Sequence, residues 1–181
     1  MTARPVADVA DRLPWPNVRG KRCLDTARDG YGLADELRRR GAADVESRRA
    51  DESLDLAARP FDVTVAGGVL AGRRDPLPYA RDLHTLTRGV LLSWEPIDLW
   101  TSLLGRGRAL YGMDDDGGLE FNGGGHRALL ERAGFAIERV SKPFTVPRAA
   151  PTGRIEALAL RLVAGSDDGA LHRAVLARPR R

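Results

Sequence analysis

The sequence predicts a doubly wound α/β domain, a mostly parallel sheet with helices on both faces. Two patterns carry that expectation. Short apolar runs, each closed by a polar or glycine-rich turn, recur at Cys23-Leu24-Asp25, Phe61 to Leu70, Gly89 to Glu95 and Phe135 to Val140, as buried strands do. Between them lie arginine-rich stretches with apolar residues three and four apart, the spacing of helices that cover a sheet. Ligands of such folds bind at the carboxyl ends of the strands. Chemistry is therefore expected where the runs end: at Asp25, Asp51, Gly67-Gly68 and Trp94-Glu95.

The elements follow in order. Residues 1–19 are punctuated by proline, and Pro14-Trp15-Pro16 is too rigid and too poor in donors for a helix interior. This stretch is a lead-in that lays Trp15 on the edge of a domain spanning residues 20–178. Gly20 opens the first strand. Gly32 to Arg40 carries Leu33 and Leu37 at helical spacing above a charged face, and Gly41 ends that helix. A weak strand is expected over Ala43 to Ala50 and a strong one from Phe61 to Val65. A short helix over Tyr79 to Leu86 leads to a central strand over Gly89 to Trp94. Asp114 to Gly118 and Gly123 to Gly125 predict a long, mobile connection near the strand ends. Arg127 to Ala133 reads as a helix ended by Gly134, and Leu171 to Ala177 as the last strand. In the helix between them, Ile155, Leu158, Ala159 and Leu162 share one face.

Composition narrows the class. A chain of 181 residues that is 43% hydrophobic buries one core of ordinary size, so one domain is expected. The net charge of +4 comes almost wholly from arginine, since Lys21 and Lys142 are the only lysines. That balance permits an acidic partner without requiring one, because solvated helix faces account for it equally. The single cysteine, Cys23, lies in a strand pattern and has no partner for an internal disulfide. No window approaches the ~18 apolar residues of a membrane span, so a soluble, cytoplasmic protein is expected. No metal-ligand spacing, phosphate-binding glycine-lysine motif or nucleophile elbow is present.

Gly20 to Asp25, Phe61 to Val65 running into Gly67-Gly68-Val69-Leu70, Arg74-Asp75-Pro76 and Ala133-Gly134-Phe135 together resemble class I S-adenosylmethionine-dependent methyltransferases. Leu13 to Pro16, Glu95-Pro96 and Asn122 are similar to the branch that includes the tRNA wobble-uridine methyltransferases. The resemblance implies a Rossmann-like sheet and S-adenosylmethionine as cofactor, with a small molecule or tRNA accepting the methyl group on oxygen or nitrogen. It places Asp25, Ala27, Gly30, Asp51, Gly67 and Gly68 around the cofactor and Trp94 and Asn122 beside the acceptor. Glu95 and His126 are its candidate catalytic groups: Glu95 to orient an acceptor, His126 as a base on a loop folded over the site.

The chain departs from that family in two places. The first glycine motif is degenerate, reading Asp25-Thr26-Ala27-Arg28-Asp29-Gly30-Tyr31-Gly32. Only about 20 residues separate Gly41 from Phe61, and a parallel crossover needs a dozen or more, so one βα unit is expected to be missing. Asp51 then ends a strand beside the first, as a cofactor carboxylate or a turn acid. If that strand is instead the family's second, Arg49 falls near the place of the ribose-binding acid. Both departures leave room for a second class, a methyltransferase-like binding protein without turnover. A dehydrogenase is disfavoured, because Gly-x-Gly-x-x-Gly does not follow the first strand.

Overall fold

A computed structural model of the chain describes residues 10–28, 31–100, 111–113, 119–146, 153–164 and 170–181. The strands are β1 (Arg22–Ala27), β2 (Asp44–Arg49), β3 (Phe61–Gly67), β4 (Thr87–Pro96), β5 (Tyr111–Met113), β6 (Leu119–Phe121), β7 (Phe135–Val140), β8 (Phe144–Val146) and β9 (Ala170–Pro179). The helices are α1 (Ala34–Arg39), α2 (Leu77–Leu86), α3 (Gly123–Arg132) and α4 (Arg154–Ala164).

The main sheet runs β2-β1-β3-β4-β9-β7, with β8 also paired to β9. The first four strands are parallel and β9 is antiparallel to both neighbours. A single strand, β2, lies outside β1 among the described residues, which is the shortened edge that the 20-residue spacing implied. It occupies the place beside the first strand and ends at Arg49. The mixed, mostly parallel architecture is thus the expected one, with one antiparallel strand inserted between β4 and β7.

Alternation along the strands divides the core. Cys23, Val63, Val65, Leu92 and Trp94 face Leu33 and Leu37 at α1 and Leu13 and Val18 of the lead-in. Ala66, Leu91, Val175 and Ala177 face α2 and α3 through Leu83, Leu129 and Leu130, and α4 through Ala159 and Leu160. Trp15 is half-buried, with the Arg40 guanidinium 4.3 Å above its ring.

Two expectations fail for identifiable reasons. Gly123 to Gly125 form the first turn of α3 and belong to no loop, because Asn122 caps that helix: its side-chain oxygen accepts the Gly125 N–H at 2.7 Å. Phe121, Asn122 and Gly125 are buried, so this end of the predicted connection is not exposed; Asp114 to Gly118 lie outside the described residues. In α4 only Ala159 of the face read from spacing is buried. Ile155, Leu158 and Leu162 are 76%, 61% and 78% exposed, while Ala159 and Leu160 are buried and Val163 packs beside them. A helix with apolar residues around much of its circumference has two candidate faces, and the contacts choose between them.

That choice is testable by chemical denaturation. Leu160→Ala is expected to cost about 2–5 kcal/mol, whereas Leu158→Glu and Ile155→Arg are expected to stay within about 0.5 kcal/mol of the parent. The reverse ranking would restore the face predicted from spacing.

Candidate active site

Three features meet at the carboxyl ends of β1 to β4. The first is the stretch after β1. Asp25 is buried within the strand, and its Oδ2 accepts the Leu33 N–H at 2.8 Å, tying the start of α1 back to the sheet. Its Oδ1 is buried without a partner. Burial pushes the Asp25 carboxyl up to about 6, against the opposing Leu33 N–H.

The second feature is a cleft of about 560 Å³ lined by Ala27, Arg28, Tyr31, Arg49, Ala50 and Asp51. Asp51 stands there as expected, exposed and paired with Arg49 at 3.2 Å. Ala27 lines the cleft too. Asp25 lies beneath, out of the lining, and Gly30 is outside the described residues.

The third is an aromatic cluster around Tyr31, and it corrects the expected roles of Gly67 and Gly68. A Cβ at Gly67 would stand 2.6 Å from Trp94 Nε1 and 2.8 Å from the Tyr31 carbonyl oxygen. One at Gly68, whose φ is +64°, would stand 2.9 Å from the Tyr31 ring. These glycines admit Tyr31 and do not line the cleft, because Tyr31 packs over the end of β3. The Tyr31 ring lies 4.7 Å from Trp94 and 5.6 Å from His172, centroid to centroid. Trp94 is fully buried, and its Nε1–H has no acceptor.

His172 was not singled out from the sequence, where it reads as one strand-face residue among many. Here it is buried, with Nδ1 2.9 Å from the Ala170 carbonyl oxygen and Nε2 2.9 Å from the Tyr31 hydroxyl. A carbonyl only accepts, so Nδ1 carries the proton and Nε2 accepts from Tyr31. Burial holds the ring neutral, its pKa lowered to about 4.

Glu95 and His126 turn away from this cluster. Alternation on β4 puts Trp94 on one face of the sheet and Ser93 and Glu95 on the other. Glu95 is fully buried; Oε1 accepts the N–H groups of Val69 (3.1 Å) and Leu70 (3.2 Å), and Oε2 that of Ala71 (3.0 Å). Burial raises its pKa to about 8, against those three donors. His126 sits on α3 instead of a loop, buried, with Nε2 2.9 Å from Ser93 Oγ. Burial lowers its pKa to about 3. Asn122 is occupied as a cap and does not face the cleft.

No protein-family model and no curated protein sequence matches this chain. Solved structures do match. An S-adenosylmethionine-dependent methyltransferase from Mesorhizobium loti is 18% identical, with 98% of each chain covered and a TM-score of 0.61. Magnesium protoporphyrin IX methyltransferase from Synechocystis, solved with S-adenosylhomocysteine, is 16% identical over 97% of this chain and 80% of that one, at 0.52. A 1,6-didemethyltoxoflavin N1-methyltransferase from Burkholderia thailandensis, also holding S-adenosylhomocysteine, is 18% identical over 99% and 78%, at 0.51. The fold is that of the class I S-adenosylmethionine-dependent methyltransferases. At such identities the likeness is one of fold, and function has to be argued from the site.

Two outcomes follow from the buried carboxyls. Glu95→Ala leaves three backbone donors unanswered and is expected to cost on the order of 3 kcal/mol or more by urea denaturation; a loss under about 1 kcal/mol would show that the loop holds itself. For Asp25 the sign is set by a folded pKa near 6 against 3.8 unfolded. Between those values the folded chain keeps a proton that the unfolded chain releases, so the Asp25 contribution is full below pH ~4 and is lost as pH rises to ~6. The stability of the parent minus that of Asp25→Asn should therefore fall by roughly 3 kcal/mol across that window and stay level outside it.

Proposed function

We infer that the chain is an S-adenosylmethionine-dependent methyltransferase acting on an oxygen or nitrogen of a small molecule or of tRNA. One observation carries this reading: Tyr31 lines the strand-end cleft and also reaches His172, so a donor cleft and an acceptor side meet across one side chain. Methyl transfer needs that adjacency, since its main demand on a protein is alignment of two bound partners.

The cleft residues fit the cofactor in kind. Its volume of about 560 Å³ falls within the roughly 300–1,000 Å³ of small-molecule sites. Asp51, exposed though paired with Arg49, offers a carboxylate to ribose hydroxyls or an ammonium group, and Arg28 offers a guanidinium group to a carboxylate. Ala27 leaves room for close approach at the end of β1. S-adenosylmethionine, when bound, supplies an electrophilic methyl group on a sulfonium. This chain's residues hold it, exclude water and receive the acceptor. The tRNA acceptor rests on the sequence resemblance alone, and Glu95 and Asn122, two of the residues behind it, are engaged in holding the fold.

A binding protein without turnover is the second reading, and a specific observation favours it. Arg49 ends β2, where a carboxylate would serve the ribose better, and it is ion-paired with Asp51.

Calorimetric titration with S-adenosylmethionine and S-adenosylhomocysteine separates the outcomes. Micromolar binding is expected. Asp51→Ala is expected to weaken it about tenfold to a hundredfold, the worth of one or two hydrogen bonds to a charged group, with an unchanged melting temperature because Asp51 is exposed. Absence of binding at millimolar cofactor would overturn the methyltransferase reading and leave the fold alone standing.

A further inference from the structure

The strand ends are shaped around Tyr31. Neither Gly67 nor Gly68 could carry a side chain without meeting it. Its ring lies beside Trp94 at an interplanar angle of 32° and beside His172 at 44°. Phe144 backs both partners, its centroid 6.5 Å from Trp94 and 6.1 Å from His172. The result is a slot with flat apolar walls and two polar points: His172 Nε2, an acceptor whose tautomer is set by Ala170, and Trp94 Nε1–H, a buried donor with no acceptor among the described residues. Buried donors are rarely left so. Tyr31 satisfies the first point and leaves the second open.

The residue that fills this slot also walls the cleft. His172 is not in the cleft's lining, and Tyr31 is the residue that touches both.

We propose that Tyr31 occupies the acceptor's seat, and that the acceptor is a planar aromatic compound bearing an O–H or N–H group. Its ring takes the slot beside Trp94 and its donor group hydrogen-bonds to His172 Nε2. This rests on the methyl-transfer reading above. In the reaction the acceptor's O–H or N–H bond breaks heterolytically. The electron pair stays on the acceptor atom, which would take the methyl group as the cofactor's C–S bond breaks and its pair returns to sulfur; the proton goes to the Nε2 lone pair, and the imidazolium passes it to water after product leaves. Trp94 Nε1–H serves a second, hydrogen-bond-accepting atom of the same ligand. An occluding Tyr31 lowers apparent affinity by the fraction of molecules in which it is withdrawn, so removing it strengthens binding with no new contact to the ligand.

The test is calorimetry of the full-length chain with p-cresol and toluene, which differ by the hydroxyl, on the parent, Tyr31→Ala and Tyr31→Ala/His172→Phe. The parent is expected to bind p-cresol, and Tyr31→Ala to bind it at least tenfold more tightly and at least tenfold more tightly than toluene. The double variant is expected to lose that preference. Equal affinity of Tyr31→Ala for the two probes would mean a mere cavity, and p-cresol binding to Tyr31→Ala but not to the parent would make Tyr31 a fixed core residue; either overturns the proposal. Cofactor titrated into the same samples separates the two readings. Cofactor binding without p-cresol binding to the parent sinks the aromatic acceptor alone, whereas p-cresol binding without cofactor binding supports the slot and removes methyl transfer.

Discussion

The arrangement at the strand ends depends on one buried carboxyl group. Glu95 leaves β4 on the face opposite Trp94 and takes the N–H groups of Val69, Leu70 and Ala71, the residues that follow the Gly67-Gly68 turn. Those donors lie in no helix or strand, and without Glu95 they would be buried and unanswered. By holding them, Glu95 fixes where β3 ends and where its two glycines lie. The glycines in turn fix where Tyr31 can pack. A residue that looked catalytic from its place beside Trp94 therefore acts through the backbone. The side chain next to it, on the other face of the strand, is the one that meets the candidate acceptor side.

From this constraint follows a division of the sheet's carboxyl edge. Toward β1 and β2 it is open, polar and charged, with Arg28, Arg49 and Asp51 around a cleft. Toward β4 and β9 it is closed and aromatic, with Trp94, Phe144 and His172 packed together. Antiparallel β9 makes the second half possible: its pairing sets His172 opposite Pro96 and Ala174 opposite Trp94, so that a residue some 80 positions away in sequence comes to the end of β4. Tyr31, which among the described residues touches both halves, lies in the stretch that follows β1.

Arginine sets the overall charge, and apart from Arg28 and Arg49 at the cleft much of it is taken up in surface pairs. Arg38 and Arg39 pair with acids three residues before them, and Arg127 with one four residues after. Arg88 pairs with Asp62 across neighbouring strands. Exposed pairs of this kind contribute little to stability and leave the net charge of +4 unchanged. No helix among the described residues is long and apolar enough to cross a membrane.

The sequence by itself determined the strand runs, the parallel pairing of β1 to β4, the short β2 edge, and Gly41 and Gly134 as the glycines that follow α1 and α3. Those depend on local periodicity and on spacing, which a linear chain displays directly. It also placed Asp51 and Ala27 at the cleft, because residues that end parallel strands share one edge by topology. Only the tertiary structure decided which face of α4 is buried, that Gly123 to Gly125 start a helix, that Glu95 and His126 turn inward, and that Tyr31 and His172 meet. Each of these depends on which side of a strand or helix finds a partner distant in sequence. Period-two and period-3.6 patterns say that a face exists, and packing alone says what covers it.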